Sequence, residues 1–152
     1  MLDHVREARI FTTLHLRVGY DFIRIKEGDE YKTAFRTCYG QFLYRVMPFG
    51  PTNAQAIFQS DINDCPQPYI DDFIVCYLDD ILISSTNKKE HEEHVREVLK
   101  GLREFRLYCR AENCQFRMSE VGFVQFDISP DGVGMKSVRI SAIEDRPTPK
   151  SH

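Results

Sequence analysis

The chain has 152 residues, 42% hydrophobic and 28% charged, with a formal net charge of −3. That length sustains one core without disulfide or metal staples, and the mixed composition excludes a disordered or low-complexity chain. Any nucleic-acid contact needs a local basic patch, and no apolar run approaches the ~18 residues of a membrane span. The start, MLDHVREAR, lacks the apolar segment of a signal peptide, and five irregularly spaced cysteines point to reduced thiols inside a cell.

Phe11 to Val18, FTTLHLRV, alternates apolar and polar residues and reads as a half-buried strand broken at Gly19, with DFIRI extending it. EGDE is a turn or short helix. TAFRT and QFLYRV, separated by Cys38-Tyr39-Gly40, read as a hairpin. Beyond Pro48, Ala54, Ile57, Phe58 and Ile62 recur at helical spacing, which predicts a helix from Asn53 to Asp64 ending near Pro66. FIVCYL, Asp79-Asp80 and ILIS then form a hairpin with acids at its tip.

Asn87-x-x-Glu90 opens a second helix with an apolar stripe of Val95, Val98, Leu99, Leu102 and Phe105. His91 and His94 lie at the helical spacing of a metal-ligand pair, but set among Glu90, Glu92 and Glu93 they read as a solvated face. Two short strands are expected around Tyr108 and from Val121 to Ile128. A turn at Pro130-Asp131-Gly132 and a short last helix before Pro147 follow. Cys109 and Cys114, with no second Cys/His pair after them, read as core or strand cysteines. Hairpins interleaved with helices make the fold α+β rather than doubly wound.

The stretch YIDDFIVCYLDDILIS carries two acidic pairs, Asp71-Asp72 and Asp79-Asp80, eight residues apart. An extended chain separates them by roughly 26 Å, so one metal site uses only one pair. Asp71-Asp72, between a helix end and a strand start, reads as solvated loop. Asp79-Asp80 sits at a tip between apolar strands. Its residues alone fit either a tight turn or carboxylates for the hard divalent cations that clamp phosphoryl-transfer oxygens.

YLDD, flanked by FIVC and ILIS, resembles the polymerase signature of reverse transcriptases, specifically those of gypsy-class long-terminal-repeat retrotransposons. The block KTAFRTCYGQFLYRVMPFGPTNAQAIFQ resembles that family's central block. EHEEHVREVLKGLREFRLYCRAENCQF, ISPDGV and RPTPKS resemble the segments beyond it, so the likeness runs from about Ile10 onward. It implies an α+β, palm-like antiparallel sheet backed by helices: one palm domain over residues 1–152, with truncated fingers and without thumb or ribonuclease H. It also implies RNA-directed DNA polymerisation inside the cell, away from membranes. The cofactor would be magnesium, or manganese, at Asp79 and Asp80. Template-primer, deoxynucleoside triphosphate and the rest of a retrotransposon polyprotein would be the partners. Nucleotide or primer contacts are implied at Tyr20, Phe49, Gly50, Tyr77, Phe123 and Gln125. Arg24, Lys26, Lys32 and Arg36 are phosphate contacts or plain surface charge.

Departures from the family accompany the likeness. The family's third carboxylate lies in a strand of the form LDLRSAY; here the strand is LHLRVGY, with His15 in place of the aspartate. Imidazole suits zinc or manganese better than magnesium. One unit-charge interaction near 4 Å is worth about 4 kcal/mol at an effective dielectric of about 20, or on the order of a thousandfold in rate. Asp21, six residues further on and roughly 20 Å away in an extended chain, is too distant to substitute. Gln125 stands where the primer-gripping FLGF motif has glycine. Pro51, Gln55, Cys65-Pro66, Asp127 and Arg146 depart from the family pattern too. Two functions follow: a polymerase domain impaired in this chain, or a non-catalytic palm remnant that binds nucleic acid or a protein.

Overall fold

The structure is a computed structural model that describes residues 5, 7–17, 23–64, 69–70 and 72–136. Tyr20, Asp21, Cys65, Pro66, Asp71, Arg146 and the expected last helix lie outside the described residues. In chain order the elements are β1 (Ile10–His15), β2 (Phe35–Thr37), β3 (Gly40–Phe42), α1 (Ala54–Asp64), β4 (Ile74–Tyr77) and β5 (Asp80–Ser85). Then come α2 (Lys88–Glu104), β6 (Gln115–Met118), β7 (Val121–Phe123), β8 (Phe126–Ser129) and β9 (Gly132–Met135). The fold is α+β, as expected.

An antiparallel sheet ordered β4-β5-β1-β6 forms the centre, with a β2–β3 hairpin and a β7-β8-β9 meander beside it. Period-two alternation assigns its side chains to two faces. Leu14, Ile74, Cys76, Ile81 and Ile83 pack with Ala54, Phe58 and Ile62 of α1 and Val98 and Leu102 of α2. Phe11, Val75 and Leu82 pack on Val121, Phe123 and Ile128 of the meander. Because the central strands are buried on both faces, FIVC and ILIS are near-continuous apolar runs rather than alternating ones. The same alternation places His15 and Asp80 on the meander face.

Helix α2 starts as the sequence predicts. Glu90 donates its backbone N–H to Asn87 Oδ1 at 3.0 Å, and Asn87 Nδ2 donates to Glu90 Oε2 at 3.0 Å. Its faces differ from expectation: Leu99 and Phe105 are exposed, while His91 is 1% exposed. His91 hydrogen-bonds Thr12 Oγ1 at 2.7 Å and Ser85 Oγ at 2.8 Å, and His94 shares that serine at 2.9 Å. The His94 ring also stacks on Phe73, with centroids 3.6 Å apart and planes at 4°. The solvated reading of the two histidines is therefore corrected. The sheet presents two hydroxyls where α2 crosses it, and imidazole is the inward side chain that satisfies them.

Other expectations shift at chain reversals. The strand around Tyr108 reduces to a single bridge between Leu16 and Cys109. Val121 to Ile128 divides into β7 and β8, reversed at Val124-Gln125 where the family likeness sets its primer-gripping hairpin, with Val124 at φ +55°. No Gly or Asn marks that turn, which is why the sequence reads straight through it. The β3 strand stops at Phe42, short of the expected QFLYRV. Cys38, Cys109 and Cys114 are free thiols. Burial and the adjoining Cys114 thiol push Cys109 up to about 11. Among the described residues, no helix is long and apolar enough to cross a membrane.

Candidate active site

The β4–β5 hairpin closes on the pair Tyr77–Asp80, leaving Leu78 and Asp79 as a two-residue loop. Leu78 sits at φ +51°, a position where such loops favour glycine and where an L side chain costs about 1–2 kcal/mol. A side chain from α1 holds the strained turn. Gln59 Oε1 accepts the Leu78 N–H at 2.8 Å, while its amide nitrogen donates to Cys76 O at 3.3 Å and Asn63 Oδ1 at 2.8 Å. Sequence reasoning missed Gln59. Its one local signal is its place directly after Phe58, on the edge of the buried helix face.

The β1–β5 register sets His15 opposite Asp80, and such same-face neighbours have Cβ atoms about 4.5–5.5 Å apart. His15 Nδ1 lies 2.9 Å from Asp80 Oδ1, and Nε2 lies 3.4 Å from Asp79 Oδ2. Two backbone bonds lock this arrangement: Leu16 N–H donates to Asp79 O at 2.7 Å, and Arg110 N–H donates to His15 O at 2.9 Å. The three side chains remain partly open, at 27% for His15, 45% for Asp79 and 39% for Asp80.

His15 and Asp80 face a polar cavity of about 320 Å³, lined also by Asn113, Gln115, Gly122, Phe123, Val124 and Lys136. A Cβ at Gly122 would come within 3.0 Å of Lys136 Cε and Nζ, so the lysine crosses the open face of that glycine. Phe123 borders the cavity, but its ring is buried in the meander core rather than offered for stacking. Gln125 is exposed in the β7–β8 turn. Tyr77 is half-exposed at the base of the acidic turn.

Phe49 and Gly50 line a different cavity of about 930 Å³, together with Arg24, Lys26 and Lys32. Lys32 is engaged there by Asp29 at 2.8 Å, a hydrogen bond that holds the Asp29 carboxyl below its ordinary range. Arg36 lies on the β2–β3 hairpin opposite Gln41. The structure thus brings together His15, Asp79 and Asp80, with Tyr77 beside them, and sets Phe49 and Gly50 apart.

A pair of hard dications needs several carboxylate oxygens converging on each ion. Asp79 and Asp80 supply two carboxylates, but the third position holds a ring whose two nitrogens face different aspartates. An ion binds through one nitrogen lone pair, so His15 cannot serve one ion together with both acids. Among the described residues, no three His, Cys, Asp or Glu side chains converge as metal ligands. The described residues do not fit a two-magnesium centre.

Comparison with known proteins places this geometry in a family. The profile of "reverse transcriptase (RNA-dependent DNA polymerase)" matches residues 1–138. The Transposon Tf2-3 polyprotein of Schizosaccharomyces pombe is 41% identical over 132 residues, covering 87% of this chain and 10% of the polyprotein. The chain therefore spans about a tenth of the length of the curated relatives it matches. Among solved structures, a foamy viral protease–reverse transcriptase in complex with double-stranded DNA superposes with a TM-score of 0.85 at 26% identity. That match covers 94% of this chain and 25% of the other. The same viral protein in complex with an RNA/DNA hybrid shares the fold, with a TM-score of 0.82 at 24% identity over 97% of this chain and 20% of its own. With the profile spanning nearly the whole chain and a transposon polyprotein aligned along most of it, this chain belongs to the reverse transcriptase family.

Proposed function

We propose that this chain is the palm segment of a gypsy-class retrotransposon reverse transcriptase, acting inside the cell, whose polymerase chemistry is impaired by His15. The gypsy-like central block and the Tf2 match support the class. The foamy viral relatives, solved with double-stranded DNA and with an RNA/DNA hybrid, support template-primer as the partner. The observation that carries the reading is the pairing of His15 with Asp80 across β1 and β5, at the position the family gives to its third carboxylate.

Divalent metal supplies charge neutralisation for phosphoryl transfer in this family. Here Asp79 and Asp80 are the two groups that would address it. The chain's own residues do three things: Gln59 fixes the acidic turn, His15 braces both aspartates, and the Val124-Gln125 turn borders the primer side. A side chain at Gln125, where the family has glycine, shifts the primer backbone. A displacement of about 1 Å in the attacking group costs around a hundredfold.

Primer extension tests the reading. With template-primer and magnesium, then manganese, neither the wild type nor His15→Asp extends above a blank, because the β7–β8 turn obstructs independently of position 15. Wild-type extension that disappears in Asp79→Asn would overturn the impairment and make this a working polymerase palm. A second reading, a remnant that binds nucleic acid or a protein without catalysis, is favoured by the same His15. Template-primer retention without extension supports it.

A further inference from the structure

We infer that His15 acts not as a metal ligand but as a plug: its ring occupies the position between the two aspartates and excludes a divalent cation from them. The inference deepens the proposal above, from which it takes the identification of Asp79-Asp80 as the polymerase turn. It concerns cation access to that turn rather than nucleic-acid chemistry.

The geometry has three parts. Each ring nitrogen is directed at a different carboxylate, at 2.9 Å and 3.4 Å, so neither nitrogen is aimed at a point that both acids share. The backbone on both sides of the ring is laced down, by Leu16 N–H on Asp79 O and Arg110 N–H on His15 O. An incoming ion therefore has to rotate the side chain away rather than move the strand. Finally, the aspartates are open to solvent at 45% and 39%, so it is the ring, not burial, that stands between them and an ion. A ligand at position 15 predicts that truncation weakens cation binding. A plug predicts the opposite sign.

The experiment titrates manganese into the chain at neutral pH and follows free manganese by electron paramagnetic resonance, with the thermal midpoint as a second readout. No nucleic acid is present. For His15→Ala, binding tightens about fivefold over wild type, the scale of two partly exposed polar contacts that no longer compete. His15→Asp binds tighter again, and the midpoint of both variants rises further with manganese than the wild-type midpoint does. Asp79→Asn combined with His15→Ala abolishes the gain, which locates it at this turn. His15→Asn, which keeps a polar side chain but cannot span both acids, shows the same gain and replaces His15→Ala if that variant loses its far-ultraviolet circular dichroism. Equal or weaker manganese binding in the folded variants overturns the inference. A failed primer extension does not bear on it, and a successful one in the wild type refutes the impairment while leaving this sign test intact.

Discussion

His91 offers a direct test of how the helix layer is held to the sheet. It is 1% exposed and bonded to Thr12 and Ser85, so His91→Ala removes two hydrogen bonds worth about 1 kcal/mol each and opens a ring-sized cavity; the expected loss is about 3–4 kcal/mol. His91→Phe fills the space. It leaves neither hydroxyl bare, because Thr12 still accepts the Arg117 N–H at 3.2 Å and Ser85 still bonds His94 at 2.9 Å. That variant loses only about 2 kcal/mol.

The two variants also separate in pH dependence. Burial, then His94 and Arg117, lowers the His91 pKa below the ordinary histidine value of 6.5. Glu92, which lines the same cavity as His91, is paired with Arg117 at 2.6 Å. Below pH 6.5 the unfolded chain binds the proton that the folded chain refuses. Stability is therefore full above that value and falls as pH drops toward the folded pKa, by at most about 1.4 kcal/mol per pH unit for one group. Urea denaturation of wild type and His91→Phe at several pH values between 7.5 and 5 measures both effects. The wild type falls more steeply with acid, and the gap between the two chains narrows. Parallel profiles, or a phenylalanine variant as damaged as the alanine one, would refute the assignment of His91 as a neutral bridge.

Other substitutions probe single contacts. Gln59→Ala frees the Leu78 N–H in its strained turn and costs about 1–3 kcal/mol in urea denaturation, whereas Gln59→Glu, which keeps the acceptor, costs less. Arg106→Gly raises the thermal midpoint, because Arg106 holds φ +58° just past the end of α2, where glycine saves about 1 kcal/mol. Asn87→Ala removes the cap on α2 and costs about 1 kcal/mol; an unchanged midpoint would remove the cap from the account. In timed alkylation at pH 8, exposed Cys38 reacts well before Cys109, whose thiol is held near 11.

Local patterns in the sequence were enough to read α1, the β4–β5 hairpin with acids at its tip, and the cap of α2. Each depends on neighbours within a few residues: helical spacing of Ala54, Phe58 and Ile62, two apolar runs around a turn, and Asn87 with Glu90. The family likeness singled out His15, Asp79 and Asp80 for the same reason, since short motifs carry it. What the ring of His15 does there was not legible, because the 2.9 Å contact joins strands 65 residues apart and depends on the β1–β5 register. Long-range packing also decided the rest. His91 turned inward because Thr12, 79 residues away, met it with a hydroxyl, overriding a local setting of glutamates that reads as solvated. Gln59 became the support of the acidic turn only when α1 docked on β4, and the Val124 reversal formed without a turn residue because Phe123 and Ile128 are buried against Phe11 and Leu82. Apolar periodicity tells a chain which face to bury. Which polar group waits on the other side of that face is a property of the partner strand, and only the assembled sheet supplies it.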